Sequence, residues 1–319
     1  MIAGQDRAVD RFTEAMGAGA LHHGWLLAGP RGVGKAHFAR AAATRLLVDA
    51  AGPRVDLSGL ETPADHPVAR LMAAGSHPDF RLLERELNEK GDGLRRNISV
   101  QQIRRLGQFF ANTTALSPWR AVIIDSVDDL ESEGANALLK MLEEPPANTL
   151  FLLVAHAPGR LLPTVRSRCR RLDFQSLDTD ALTSILRREL PDAGEDEIAR
   201  LAAAAGGSVG RALAYHSLDL APVEEQALAI LRDGDPTNAR RVKLTAGMTG
   251  KAGAERYAAF LQMVPGLIAR EARMLDGARR ERALDAYASA RETAALALRL
   301  SLDPAATVFQ LGSVLAAVP

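Results

Sequence analysis

Along the first half of the chain, continuous apolar runs alternate with segments of helical period. Trp25-Leu26-Leu27-Ala28, Asp79-Phe80-Arg81-Leu82-Leu83, Ala121-Val122-Ile123-Ile124-Asp125 and Leu150-Phe151-Leu152-Leu153-Val154-Ala155 read as strands. Val9, Phe12, Ala15 and Met16 mark one face of a helix over 5–20, and a second helix is predicted over 36–48. A third starts at Ser99, where Ser99 and Gln102 have the spacing of a capping box. A fourth, over 134–144, is stopped by Pro145-Pro146. Strands that lack a polar face, interleaved with helices, imply a mostly parallel sheet covered on both sides. Two stretches are predicted to be irregular. One is the Gly- and Pro-rich region 49–80, which includes Pro53; the other is the charged loop 85–97, with a turn at Gly91-Asp92-Gly93. His22 and His23 are expected in a loop feeding the first strand, pointing opposite ways and without partner ligands.

From Phe174 the strand pattern ends. Helices are predicted over 179–190, 196–205 and from Gly210-Arg211 onward, then near 223–233, 254–275, 278–300 and 304–318. This gives a small helical domain over 174–216 and a helical C-terminal domain over 217–319, with no internal repeat or low-complexity tail.

The bulk numbers narrow the function. Lys+Arg and Asp+Glu both total 39, a balance that argues against an autonomous DNA-binding protein and leaves room for a local basic patch within an assembly. The single cysteine, Cys169, rules out an intrachain disulfide and a four-cysteine zinc module. The N-terminus lacks a signal-peptide profile and no apolar run is long enough to span a bilayer, so a soluble, cytoplasmic protein with no membrane partner is expected.

The candidate chemistry starts at Gly29-Pro30-Arg31-Gly32-Val33-Gly34-Lys35-Ala36. Strand, glycine loop and helix form the context of a phosphate-binding P-loop, and G-x-x-x-x-G-K is complete. Gly29, Gly32, Gly34 and Lys35 are the candidate nucleotide ligands. The next residue should carry a hydroxyl for Mg²⁺, and Ala36 has none. Downstream, Asp125 ends a buried strand where a P-loop fold places a Mg²⁺-supporting Asp, but Ser126 follows it in place of a water-activating Glu. No metal site is expected. Arg166, Arg168, Arg170 and Arg171 crowd together after the fourth strand, either as a solvated basic stretch or with at least one facing an anion. Arg104 and Arg105 are candidates for phosphate contact, against an ordinary solvated helix face.

These residues together resemble the bacterial clamp-loader branch of the AAA+ family, collinearly over roughly the first 215 residues. Ser167-Arg168-Cys169, after Leu162-Pro163-Thr164-Val165-Arg166, looks like the family's SRC motif. Asn136-Ala137-Leu138-Leu139-Lys140 with Leu142-Glu143-Glu144-Pro145-Pro146 is equally typical. The resemblance implies an α/β P-loop (AAA+) domain with a parallel sheet over 1–173. It also implies a small helical lid over 174–216 and an all-α C-terminal collar or oligomerisation domain over 217–319. It further implies that Arg168 acts in trans as an arginine finger in a neighbour's ATP site, where a guanidinium stabilises charge on a γ-phosphate. Arg211, after Gly207-Ser208-Val209-Gly210, lies where the family's lid places a phosphate-sensing arginine.

Active ATPases of this branch carry both the P-loop hydroxyl and an Asp-Glu strand end. Loss of both here implies a non-hydrolysing member in which ATP or ADP binding without turnover is still open. Many relatives carry four zinc-binding cysteines after the P-loop helix; residues 49–80 have none, so no zinc is expected. The implied partners are the clamp-loader ATPase and delta subunits of a hetero-pentamer, the sliding clamp, and primed DNA through the complex. Three other readings stay open on the residues alone: an active clamp-loader ATPase with unusual Mg²⁺ coordination, a stand-alone nucleotide-binding regulator, and a nucleotide-independent DNA-binding protein.

Overall fold

The computed structural model describes residues 2–52, 55–88, 91, 93–248, 250–300 and 302–319. Pro53 of the predicted loop and Asp92 of the predicted turn lie outside the described residues. The chain forms two compact units, Met1–Ile185 and Leu186–Pro319.

In the first unit, α1 (Asp6–Gly17), β1 (Gly24–Ala28), α2 (Lys35–Ala51), α3 (Pro67–Ala73) and β2 (Phe80–Glu84) come first. Then follow α4 (Val100–Ala111), β3 (Arg120–Asp125), α5 (Ser132–Glu143), β4 (Thr149–Ala155), α6 (Pro163–Ser167) and β5 (Arg170–Asp173). The five strands are parallel, in the order β2-β3-β4-β1-β5. Period-two alternation sorts the apolar strands onto two cores. Trp25, Leu27, Ile123, Leu152 and Val154 pack with Phe12 of α1 and Phe38 and Leu47 of α2. Leu26, Val122, Ile124, Phe151 and Leu153 pack on the other side with Ile103 and Leu106 of α4 and Leu138 of α5. Both faces are therefore covered, as the continuous apolar runs require.

The predicted capping box forms. Ser99 N donates to Gln102 Oε1 at 2.9 Å, and Gln102 N donates to Ser99 Oγ at 3.4 Å. Gln102 Nε2 also donates to Glu84 O at 2.8 Å, which ties the start of α4 to the end of β2.

The structure departs from the predicted irregular regions. Residues 49–80 contain α3, whose first position is Pro67, and the turn after α2 is organised by Arg45. Its guanidinium pairs with Asp49 at 2.9 Å and donates to the carbonyls of Val55, Leu57 and Glu61 at 2.8, 2.9 and 2.8 Å. The charged loop 85–97 carries a short antiparallel pairing of Leu87 with Leu94, with Asn88 N donating to Gly93 O at 2.8 Å. His22 and His23 do not point opposite ways: their rings stack with centroids 4.2 Å apart, because His22 Nδ1 turns back to Gly24 and His23 reaches Leu142 O. Strand β5 was hidden in the arginine-rich stretch, since only Leu172 of its four residues is buried at the sheet edge.

Helix α7 (Thr179–Glu189) runs across the division between the units. The second unit continues with α8 (Glu195–Ala205), α9 (Val209–Ser217), α10 (Ala221–Asp233), α11 (Ala239–Thr245), α12 (Gly250–Ala272), α13 (Gly277–Leu300) and α14 (Pro304–Ala316). Phe260, Val264 and Ile268 of α12 and Leu311 and Leu315 of α14 are buried. Arg256 Nε donates to Leu218 O at 3.0 Å and joins α12 to the end of α9. Among the described residues, no helix is long and apolar enough to cross a membrane.

Candidate nucleotide site and arginine finger

The P-loop leaves β1 at Ala28 and enters α2 at Lys35. Gly29 is fixed by a close approach: Phe174 N donates to Ala28 O at 2.7 Å, and a Cβ on Gly29 would fall 2.2 Å from Phe174 O. Gly34 caps α2 in the left-handed region at φ 97°, where glycine carries no steric penalty. Gln5, almost fully buried, braces the loop. Its Nε2 donates to Val33 O at 3.3 Å and Gln175 O at 2.8 Å. No motif pointed to Gln5; its signal is a polar residue at the start of an amphipathic helix.

Lys35 is folded into the loop and 2% exposed, with Nζ donating to Gly29 O at 2.7 Å and to Pro30 O. Burial pulls its ammonium down to about 8; Asp125 and Asp128 act upward and Arg31 downward. Asp125, in register with Glu84 across β2 and β3, has its carboxyl raised by burial and then by Glu84. Ser126 is 2% exposed, and its buried Oγ has no partner. Asp128 accepts from the backbone N–H groups of His156 and Ala157, the latter at 3.0 Å, and joins the ends of β3 and β4. His156 is pulled down to about 4, first by burial and then by Lys35 and Arg31, so it is neutral at pH 7; its buried Nδ1 has no partner. A cavity of about 330 Å³ lies here, lined by Arg31, Glu84, Arg85, Asp125, Ser126 and His156 among others. Of the P-loop, only Arg31 lines this cavity, while the Lys35 ammonium is occupied by the Gly29 and Pro30 carbonyls. At the two positions that would supply a Mg²⁺ hydroxyl and a water-activating carboxylate it has Ala36 and Ser126.

Arg168 lies at the other end of β1. A Cβ on Gly24, the first residue of β1, would sit 3.3 Å from Arg168 O and 3.2 Å from Cys169 Sγ. From Gly24 to Gly29, at about 3.3 Å per residue, the strand spans roughly 16 Å. The Arg168 side chain, 34% exposed, pairs with Glu143 Oε1 at 2.7 Å, and its Nη1 donates to Thr164 O at 3.0 Å. Cys169 points inward, and burial pushes its thiol up to about 12, so at neutral pH it serves packing and not thiolate chemistry.

Comparison with known proteins bears on this arrangement. The sequence profile described as DNA polymerase III, delta subunit, matches residues 4–178, which hold the sheet, the P-loop and the Arg168 segment. This chain belongs to that family. A DNA polymerase III subunit delta' of Pseudomonas aeruginosa is 37% identical over 194 residues, 60% of this chain and 56% of that protein. A DNA polymerase III subunit gamma/tau of Mycobacterium tuberculosis is 29% identical over 246 residues, 76% of this chain and 39% of that protein. The matched stretches thus span well under two thirds of these relatives. Among solved structures, a DNA polymerase III gamma subunit-related protein of Thermotoga maritima superposes with a TM-score of 0.52 at 18% identity, covering 98% of this chain and 99% of that one, a likeness of fold.

Within the family frame, the remaining predicted residues separate. Arg105 pairs with Glu86 at 3.3 Å, and Arg171 pairs with Asp173 at 2.6 Å. Arg104 is exposed on α4. Arg211 belongs to the second unit, where its backbone N–H is capped by Ser208 Oγ at 3.2 Å and its Nη1 donates to Ala205 O at 3.3 Å.

Proposed function

We propose that this chain works in replication as the delta-prime subunit of a DNA polymerase III clamp loader. In this reading it is a cytoplasmic AAA+ subunit that does not turn over ATP itself. Gly29, Gly32, Gly34 and Lys35 hold ATP or ADP without hydrolysis, and Arg168 enters the ATP site of a neighbouring ATPase subunit. The helices of 174–216 act as a lid, and those of 217–319 join the collar of a hetero-pentamer with ATPase and delta subunits. The assembly loads the sliding clamp on primed DNA.

The observation that carries the reading is the separation along β1. Arg168 lies beside Gly24, the P-loop begins at Gly29, and about 16 Å of strand between them exceeds the reach of one side chain. An arginine so placed is out of reach of its own P-loop, which supports a role at a γ-phosphate in another subunit's site. Ala36 and Ser126 support the other half of the reading, since a methyl group cannot ligate Mg²⁺ and a serine hydroxyl is no substitute for a carboxylate base.

The test is ATP binding and hydrolysis by the isolated chain and by the complex reconstituted with ATPase and delta subunits. The isolated chain is expected to show no turnover, and the complex made with Arg168→Ala to assemble and hydrolyse poorly. Normal hydrolysis by that mutant complex removes Arg168 as a finger. Turnover by the isolated chain that disappears in Lys35→Ala favours an active subunit of the gamma/tau kind. Failure to assemble with any loader subunit favours a stand-alone regulator.

A further inference from the structure

The second unit contains a pocket of about 260 Å³ whose lining comes from the end of α8, from α9, from Glu224 of α10 and from one face of α12. Its walls are largely small or apolar, including Ala203, Gly206, Gly266 and Leu267. Three arginines line it: Arg211, Arg270 and Arg273. One is neutralised, since Arg270 Nη2 lies 2.7 Å from Glu224 Oε1. Arg273 is exposed and makes no hydrogen bond or ion pair among the described residues. Arg211 spends one N–H on Ala205 O at 3.3 Å, while its Nε is buried with no partner. Tyr215, 6% exposed, also lines the pocket, close enough to Arg211, Glu224 and Arg270 for all three to act on its hydroxyl.

Each part of this arrangement bears on what the pocket takes. A buried guanidinium nitrogen without an acceptor is costly, so Arg211 carries donor capacity that its own chain does not use. Three guanidiniums and one carboxylate leave a local excess of two positive charges. Planar guanidinium forks match phosphate oxygens and hold them by charge-assisted bonds. The volume falls just under the usual range for drug-sized ligands, about 300–1,000 Å³, so it suits a phosphate or pyrophosphate better than a whole nucleoside triphosphate. We propose that this pocket is a binding site for a small phosphate anion, held by Arg211 and Arg273 with Arg270 and the Tyr215 hydroxyl beside it. All its lining residues belong to the second unit and none to the P-loop, and the proposal does not depend on the clamp-loader reading. Binding there would tie α9 to the end of α12.

The experiment is calorimetric titration of the full chain with inorganic phosphate and with pyrophosphate, at constant ionic strength set by potassium chloride. Saturable binding is expected, weakened about tenfold by Arg273→Gln and by at least as much in Arg211→Gln, the loss of one charge-assisted contact each. Arg273 is exposed and unpaired, so its variant is expected to fold, and circular dichroism checks this. Lys35→Ala, which removes any binding at the P-loop, is expected to leave the Arg273-dependent binding unchanged. Tighter binding of pyrophosphate than of phosphate identifies a diphosphate ligand; equal affinity identifies a single phosphate group. No saturable binding of either anion, or binding abolished by Lys35→Ala and untouched by Arg273→Gln, overturns the proposal.

Discussion

The two ends of β1 have diverged in what they are equipped to do. At its C-terminal end the P-loop keeps its glycines and its lysine, with Lys35 buried among loop carbonyls and Gly34 in a left-handed cap. The groups for metal and water activation are replaced there by Ala36 and Ser126. At its N-terminal end Cys169 is committed to packing, while Arg168 stays at the surface, held by a carboxylate, a carbonyl and a hydroxyl of its own chain. A site that only binds needs shape and N–H donors, whereas a site that turns over also needs a metal and a base. An arginine acting on a neighbour needs neither, only exposure and a position that its own loop cannot use.

The largest effect should come from the N-terminal end. Arg168→Ala is expected to slow hydrolysis at the neighbouring site roughly 10³-fold, in line with arginine fingers elsewhere, with assembly intact. Single-turnover hydrolysis in the reconstituted complex reads this, and a change within experimental scatter breaks the comparison. At the other end the scaffold matters more than chemistry. Arg45→Ala removes an ion pair and three carbonyl contacts below the P-loop helix and should cost about 1–2 kcal/mol in urea unfolding. A loss confined to a few tenths would mean that the 55–61 turn holds itself.

Acid provides a third comparison. His156 is held neutral down to about pH 4, whereas the unfolded imidazole takes its proton near its ordinary value of 6.5. The unfolded state therefore binds more protons in that window, so this group's contribution to stability falls as pH drops from 6.5 towards 4 and is level above 6.5. His156→Gln should flatten that part of the profile in chemical denaturation. An unchanged slope would assign the acid sensitivity to other groups. The smallest effect is expected from repair: Ala36→Ser together with Ser126→Glu should leave the isolated chain without measurable ATPase activity, because no neighbour supplies an arginine to its site. Turnover by the repaired monomer would show that the two substitutions alone had silenced it.

The legible parts of the fold were those with strong local patterns. Four apolar runs became β1 to β4, and Ser99 with Gln102 formed the predicted cap, because burial on both faces and a capping box leave clear marks in sequence. Strand β5 left no such mark, since an edge strand needs only one buried side chain, Leu172, and tolerates exposed arginines. The stacking of His22 on His23 was illegible for a similar reason: it depends on Leu142 O, 119 residues away, pulling one ring round.

The candidate site divides in the same way. Which atoms the chain lacks for catalysis, a hydroxyl at 36 and a carboxylate at 126, was determined by sequence, because chemistry absent from a side chain cannot be restored by folding. Which atoms it brings together was decided by tertiary structure: Gln5 against the P-loop, Asp128 across the ends of β3 and β4, and Arg211 with Arg270 and Arg273 around one pocket. The distance between Arg168 and the chain's own P-loop also belongs to the tertiary structure. It arises because β5 pairs in parallel with β1, so the residues that precede β5 lie at the end of the sheet where β1 begins.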